Sequence, residues 1–237
     1  MKMLNQVKIT FASRSVNEGF ARAALAAGRD PAQIQLCAAT KMNDAQAVRR
    51  AIQAGVDCCG ENRVQELAAK QAENAYAGVP VHFIGHLQTN KVRQVVGQVD
   101  LIQSVDSARL LQAINNEAQR RGIVQNVLLE VNIGGEEAKS GFAPESLEQA
   151  AEEAKKCANV RVRGLMCIPP VAEGEHGSLP YFEKVHALFV DINAKLYDNT
   201  LDILSMGMSG DYEDAVRAGA TMVRVGTAIF GARNYTI

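Results

Sequence analysis

The stretch "IQLCAATKMNDAQAV" (Ile34–Val48) decides how the rest of the chain is read. Ile34–Thr40 is a nearly unbroken apolar run, and from Ala45 onward the spacing of apolar residues is helical. A strand covered by helices on both faces reads as such a run, because neither face meets water. Asn43 or Asp44 can cap the helix that follows. Between the two elements stands Lys41. A lysine following a strand is more often a solvated charge than a chemical group, so its position alone leaves both readings open.

The same unit recurs along the chain. Apolar runs lie at Ile34–Thr40, Asp57–Glu61, Val81–Gly85, Leu101–Val105, Val127–Ile133, Val162–Ile168, Asp202–Met206 and Met222–Val225. Helical spacing fills Ala45–Ala54, Arg63–Ala75, Lys91–Val96, Ala108–Arg121, Pro144–Lys156, Tyr181–Leu196 and Tyr212–Ala218. An amphipathic segment, Met3–Ala27, precedes them. Ser107 and Asp211 are further cap candidates, and Gly55, Gly122 and Gly219 follow helix ends where a left-handed residue costs glycine little. Eight strand–helix units with one helix in front predict a (β/α)8 TIM barrel, a single domain spanning 1–237. An open doubly wound sheet is the alternative, but it needs fewer parallel strands. The longest irregular segment, "PPVAEGEHGSLP" (Pro169–Pro180), falls between a strand and a helix and reads as a βα loop.

Composition limits the function. The 25 basic and 26 acidic residues nearly cancel, which argues against holding nucleic acid by bulk charge. No apolar run approaches the roughly eighteen residues of a membrane span, and the N-terminus lacks the apolar core of a secretory signal. The chain reads as cytoplasmic, with no membrane partner. Five cysteines, Cys37, Cys58, Cys59, Cys157 and Cys167, show no metal-ligand spacing and read as small buried hydrophobes, with no metal expected.

Barrels of this kind carry their sites where the strands end. Those positions hold Lys41, "GENRVQE" (Gly60–Glu66), "FIGHLQTNK" (Phe83–Lys91), "GLMCIPP" (Gly164–Pro170), "SMGMSGD" (Ser205–Asp211) and "MVRVGTAIFG" (Met222–Gly231). Glycines and hydroxyls at the last two strand ends suit a phosphate. Alone, either segment reads equally as close packing at Gly226 and a capped turn at Thr227. Arg224 lies inside an apolar strand, so it must meet an ion-pair partner, an acceptor or a ligand. A lysine facing a phosphate site across a barrel has the parts for a Schiff base with a phosphorylated aldehyde. It equally suits a sugar-phosphate barrel in which Lys41 is a plain electrostatic contact.

"ATKMNDAQAV" (Ala39–Val48), "GENRVQE", "HFIGHLQTNKV" (His82–Val92), "GLMCIPP" and "LSMGMSGDYEDAVRAGATMVRVGTAIFGAR" (Leu204–Arg233) together resemble the pyridoxal phosphate homeostasis protein family, in order and over most of the chain. That family is similar in fold to the N-terminal barrel of alanine racemase and lacks its second domain. The resemblance implies pyridoxal 5′-phosphate as cofactor, with Lys41 as its Schiff-base lysine and Asn62 beside it. It implies Ser205, Gly226 and Thr227 at the phosphate and Arg224 facing the pyridine nitrogen, with His82, His86 and Met166 lining the pocket. It implies a non-catalytic protein of vitamin B6 homeostasis that buffers or delivers the cofactor, a monomer whose partners are apo-enzymes needing it. An amino-acid racemase is the alternative, and it would need a second acid/base group such as a tyrosine. Two departures stand out: "MND" (Met42–Asp44) follows the lysine where the family often has a basic residue or Thr and then Pro, and Arg63 replaces a frequent aromatic. Both bear on the loops rather than on the cofactor anchors.

Overall fold

The eight apolar runs become eight parallel strands, β1 Gln35–Ala39, β2 Cys58–Glu61, β3 Val81–Phe83, β4 Leu101–Val105, β5 Gln125–Val131, β6 Val160–Cys167, β7 Ile203–Ser205 and β8 Met222–Val225. In the computed structural model, which describes residues 2–136 and 138–231, they close in sequence order, β8 pairing with β1. Ala232 and Arg233 of the last motif, and Tyr235, lie outside the described residues. The helices are α1 Lys2–Ala26, α2 Ala45–Gln53, α3 Val64–Ala72, α4 Ala108–Arg121, α5 Leu147–Lys155, α6 Leu179–Leu196, α7 Tyr212–Arg217 and α8 Thr227–Phe230. No helix among the described residues is long and apolar enough to cross a membrane.

Alternation along each strand sorts the core into two layers. Leu36, Ala38, Phe83, Ile102, Leu129, Leu165, Leu204 and Val223 point outward and pack under the helices. Cys37, Cys58, Ile84, Leu101, Leu128, Met166, Ile203 and Met222 point inward and fill the barrel. Truncating a fully buried residue such as Leu128 costs about 2–5 kcal/mol in this setting. The extra helix α1 packs across α2, α7 and α8 with Val16, Phe20, Ala23 and Ala24 buried.

Three expectations shift. Lys91–Val96 is no α-helix. A 3-10 helix over Thr89–Gln94 takes its place, with Val95 as its C-cap. β5 begins at Gln125 rather than Val127, since the buried Gln125 amide satisfies itself on Gly97 N–H and Val99 C=O. Asp211 stands at the start of α7, but its Oδ1 accepts from Met208 N–H at 2.6 Å instead of capping the helix. Asp44 and Ser107 cap as expected, accepting from Ala47 and Leu110 N–H.

Candidate functional site

Lys41 follows β1 by two residues and is half-buried. The chain around it is held from several directions. Thr40, fully buried, donates its hydroxyl to Glu61 Oε2 at 2.9 Å and to Gly60 C=O at 3.1 Å. Its carbonyl accepts from Lys70 Nζ at 2.8 Å and from Asn43 N–H at 3.1 Å. The carbonyl of Lys41 itself accepts from Asn43 Nδ2 at 3.0 Å. Met42 takes a left-handed backbone, φ 60°, unusual for a residue with a side chain. Its N–H donates to Glu66 Oε2 at 2.7 Å. The departure "MND" therefore supplies its own closure through Asn43.

Behind the loop lies a buried charge network. Lys70, on α3, spends its three donors on Glu61 Oε2 at 2.6 Å, Glu66 Oε2 at 3.2 Å and Thr40 C=O. Glu61, with no exposed surface, also accepts from Tyr76 Oη at 3.2 Å and from Asn62 N–H at 2.9 Å. Burial and the Glu61 charge push the Tyr76 phenol far above its ordinary range. "GENRVQE" thus contributes two carboxylates to the support of Lys41, a role its spacing alone does not announce. Lys70 and Tyr76, outside every strand-end motif, were missed altogether.

The barrel interior beneath this end is polar. Arg224, fully buried, donates Nη1 to Ser205 Oγ at 2.6 Å and Nη2 to Cys167 C=O at 2.9 Å. Its two partners here are neutral acceptors, not a carboxylate. Ser205 in turn donates to Gln103 Oε1 at 2.7 Å, and Gln103 Nε2 lies 3.0 Å from His82 Nδ1. Ser205 thus stands between Arg224 and Gln103, accepting from one and donating to the other. His82 connects to Arg224 through Gln103 and Ser205, and it lines a cavity at the other end of the barrel. Met166 is buried in the inner layer beside these groups. Glu130, missed in the sequence, sits in β5 with its carboxyl pushed up to about 7 by burial and by Asp106, against the pull of Arg224 and His86.

At the last strand end Gly226 precedes α8, with Thr227 exposed at its start. Ser209, also missed, accepts from Ala228 N–H at 3.2 Å and so ties the loop after β7 to this turn. On the far side of β1, after β2, Asn62 Oδ1 is buried without a hydrogen-bond partner. Gly85 lets the two loops meet there: a Cβ on it would lie 2.2 Å from Asn62 C=O. His86 is exposed, its Nδ1 3.1 Å from both Asp106 Oδ2 and Ser140 Oγ. The rim carries exposed apolar side chains, Met42, Ile168, Val171 and Met208.

Residues 22–234 match the family model described as alanine racemase, N-terminal domain. The chain belongs to that family. A curated relative from Pseudomonas aeruginosa, named pyridoxal phosphate homeostasis protein, is 45% identical over 216 residues, 90% of this chain and 90% of its own. One of the same name from Aquifex aeolicus is 42% identical over 220 residues, 93% and 96% of the two chains. A structure of PipY from Synechococcus elongatus with PLP bound is 34% identical, with a TM-score of 0.77 over 90% of this chain and 100% of that one. The family membership and the closed eight-stranded barrel agree with what the motifs and their order led us to expect.

Three of the tyrosines are engaged within the fold. Tyr76 is spent on Glu61, Tyr197 donates to Ala151 C=O at 3.1 Å, and Tyr212 lies against α1 at Gly19. Tyr181, half-buried, lies in the first turn of α6 beyond the sixth-strand loop.

Proposed function

We propose that the chain, as one barrel domain over 1–237, binds pyridoxal 5′-phosphate at the C-terminal end of its strands, with Lys41 forming the Schiff base. The observation that carries this reading is the clamp on Lys41: residues on both sides of it are fixed by a buried network that serves no other visible purpose. The residues fit the group. The orphaned Asn62 Oδ1 can take a donor from it, the turn Gly226-Thr227 with Ser209 suits its phosphate, and the buried guanidinium of Arg224 lies at the interior end. Such a guanidinium cannot accept a proton, so a pyridine nitrogen facing it stays unprotonated and the ring is a poor electron sink. The PLP-bound PipY structure supports pyridoxal 5′-phosphate as the ligand.

In this reading the protein is a carrier, not an enzyme: a cytoplasmic monomer that buffers pyridoxal 5′-phosphate or delivers it to apo-enzymes. The open rim favours this, since Met42, Ile168, Val171 and Met208 are exposed where an enzyme would exclude water. The racemase reading keeps one point in its favour, the position of Tyr181 after the β6 loop.

Purified protein mixed with pyridoxal 5′-phosphate, reduced with borohydride and mapped by mass spectrometry, should carry a pyridoxyl group on Lys41. No uptake of the cofactor, or a label elsewhere, would overturn the assignment. Holo-protein incubated with L-amino acids in deuterium oxide should show no catalytic exchange of the α-hydrogen. Exchange on a turnover timescale would replace the carrier with the racemase.

A further inference from the structure

The five thiols look alike in sequence, but the barrel separates them. Cys59 and Cys167 face the outer layer, and Cys157 follows α5. Cys37 and Cys58 face inward from neighbouring strands at the same register, and His82 joins them from the third strand. We propose that Cys37, Cys58 and His82 bind one thiophilic divalent cation inside the barrel, entered from its N-terminal mouth.

The geometry is that of a ligand set. The two Sγ atoms and a ring nitrogen of His82 lie within 4.8 Å of one another, all buried, and Cys58 Sγ is 3.6 Å from His82 Nδ1. Metal–sulfur bonds of about 2.3 Å and metal–nitrogen bonds of about 2.0–2.1 Å at a tetrahedral angle span roughly 3.5 Å between S and N. The sulfur–nitrogen pair is therefore already at ligand spacing. Two thiolates and a neutral imidazole select soft or borderline ions of the zinc and cadmium class over calcium or magnesium. With a divalent ion the two negative charges are cancelled, so no net charge is buried.

There is a way in. Cys58 and His82 line a cavity of about 190 Å³ at the N-terminal ends of the strands, together with Asp57, Pro80, Asp100 and Leu101. Asp57 and Asp100 are fixed at this entrance, accepting from Leu36 and Val81 N–H at 2.7 Å each, and two carboxylates there favour a cation. Arg163 also lines the cavity but pairs with Asp202.

Binding changes the protons and one hydrogen bond. Both S–H protons leave for solvent, two per ion, and His82 offers the lone pair of Nδ1. That nitrogen now faces Gln103 Nε2 at 3.0 Å, so the amide must turn away; Met222 Sδ, 3.1 Å from the same amide, is a second acceptor for it. Lys41 is four residues beyond Cys37, about 13 Å along the strand. The site is therefore distinct from the strand-end site and stands whether or not Lys41 holds a cofactor.

The test uses the reduced full-length protein and Cd²⁺, whose bond to thiolate gives an ultraviolet charge-transfer band. One equivalent per chain should bind, with the same stoichiometry with and without pyridoxal 5′-phosphate. Cys58→Ala and His82→Ala should each weaken binding by more than the roughly 10–100-fold that changes around a metal's ligands produce. Cys59→Ser and Cys157→Ser should leave it unchanged. Should Cys58→Ala fail to fold, wild-type protein still decides: Cd²⁺ should slow alkylation of Cys37 and Cys58 and leave Cys59, Cys157 and Cys167 unaffected. Absence of the band, its survival at full affinity in Cys58→Ala, or protection spread over all five thiols would overturn the site.

Discussion

Lys41 and Lys70 lie on the two sides of Thr40 and are held in opposite ways. Lys70 is fixed by its amine, which is buried and gives all three of its donors to Glu61, Glu66 and the Thr40 carbonyl. Lys41 is fixed by its backbone, through the Thr40 carbonyl before it, its own carbonyl, and the Met42 N–H after it. A buried ion pair is a costly element, repaid only when its geometry is good and its remaining polar atoms are satisfied. Here it is fully satisfied, and two of its members reach the loop that carries the other lysine. Lys70, with all three donors on acceptors, is the structural lysine.

Lys41→Ala should abolish the absorbance band of the bound cofactor completely, while the protein stays folded and retains measurable non-covalent binding by equilibrium dialysis. A band that persists would mean that another amine, Lys70 included, forms the bond. Lys70→Met, by contrast, should act on stability, lowering the unfolding free energy in urea by about 3–5 kcal/mol because Glu61 is left charged and unpaired. Adding Glu61→Gln should recover a good part of that loss. A cost for Lys70→Met within error of zero would show that the network does not hold the loop.

How much of this was legible depended on the distance over which each signal acts. Strand and helix order could be read because burial on both faces leaves continuous apolar runs, as at Leu101–Val105, where both ends agree with the structure. Gln125 misled the eye because its amide is satisfied by side-chain hydrogen bonds to Gly97 and Val99, which no local pattern reveals. Lys41, Asn62, Gly226 and Thr227 stood out by lying at strand ends. Lys70 did not, since helix α3 brings it back behind Thr40 from thirty residues away. The cluster of Cys37, Cys58 and His82 takes one residue from each of three strands, so it exists only once the barrel register is known.

Glu130 is a second buried acid, inside the barrel, in surroundings unlike those of Glu61. Its carboxyl is raised to about 7, mainly by burial. A raised carboxyl favours the neutral form on folding, so its contribution to stability is fully present below about 4.5 and is lost as pH rises through about 7. Glu130→Gln should therefore be nearly neutral at pH 4 and stabilising at pH 8, by up to about 3 kcal/mol. Urea titrations at the two pH values check this, and an equal effect at both would remove the pH-linked role.

The smallest effect concerns two serines of one motif. Ser205 and Ser209 both belong to "SMGMSGD", but Ser205 gives its proton to Gln103 and accepts from Arg224, whereas Ser209 accepts from Ala228 N–H beside Thr227. A hydroxyl that only accepts still has a proton to donate to a phosphate. Ser209→Ala and Thr227→Val should each weaken pyridoxal 5′-phosphate binding by about 1.5 kcal/mol, roughly tenfold, with the band unchanged at saturation. Ser205→Ala should leave phosphate affinity closer to wild type and instead shift the band, because it removes an acceptor of Arg224 at the interior end of the site. Titrating inorganic phosphate against the cofactor on each variant separates the two: only the Ser209 and Thr227 variants should lose competition by phosphate. If Ser205→Ala alone lost it, the serine that touches the anion would be the one the interior now occupies, and binding would have to turn its hydroxyl away from Gln103.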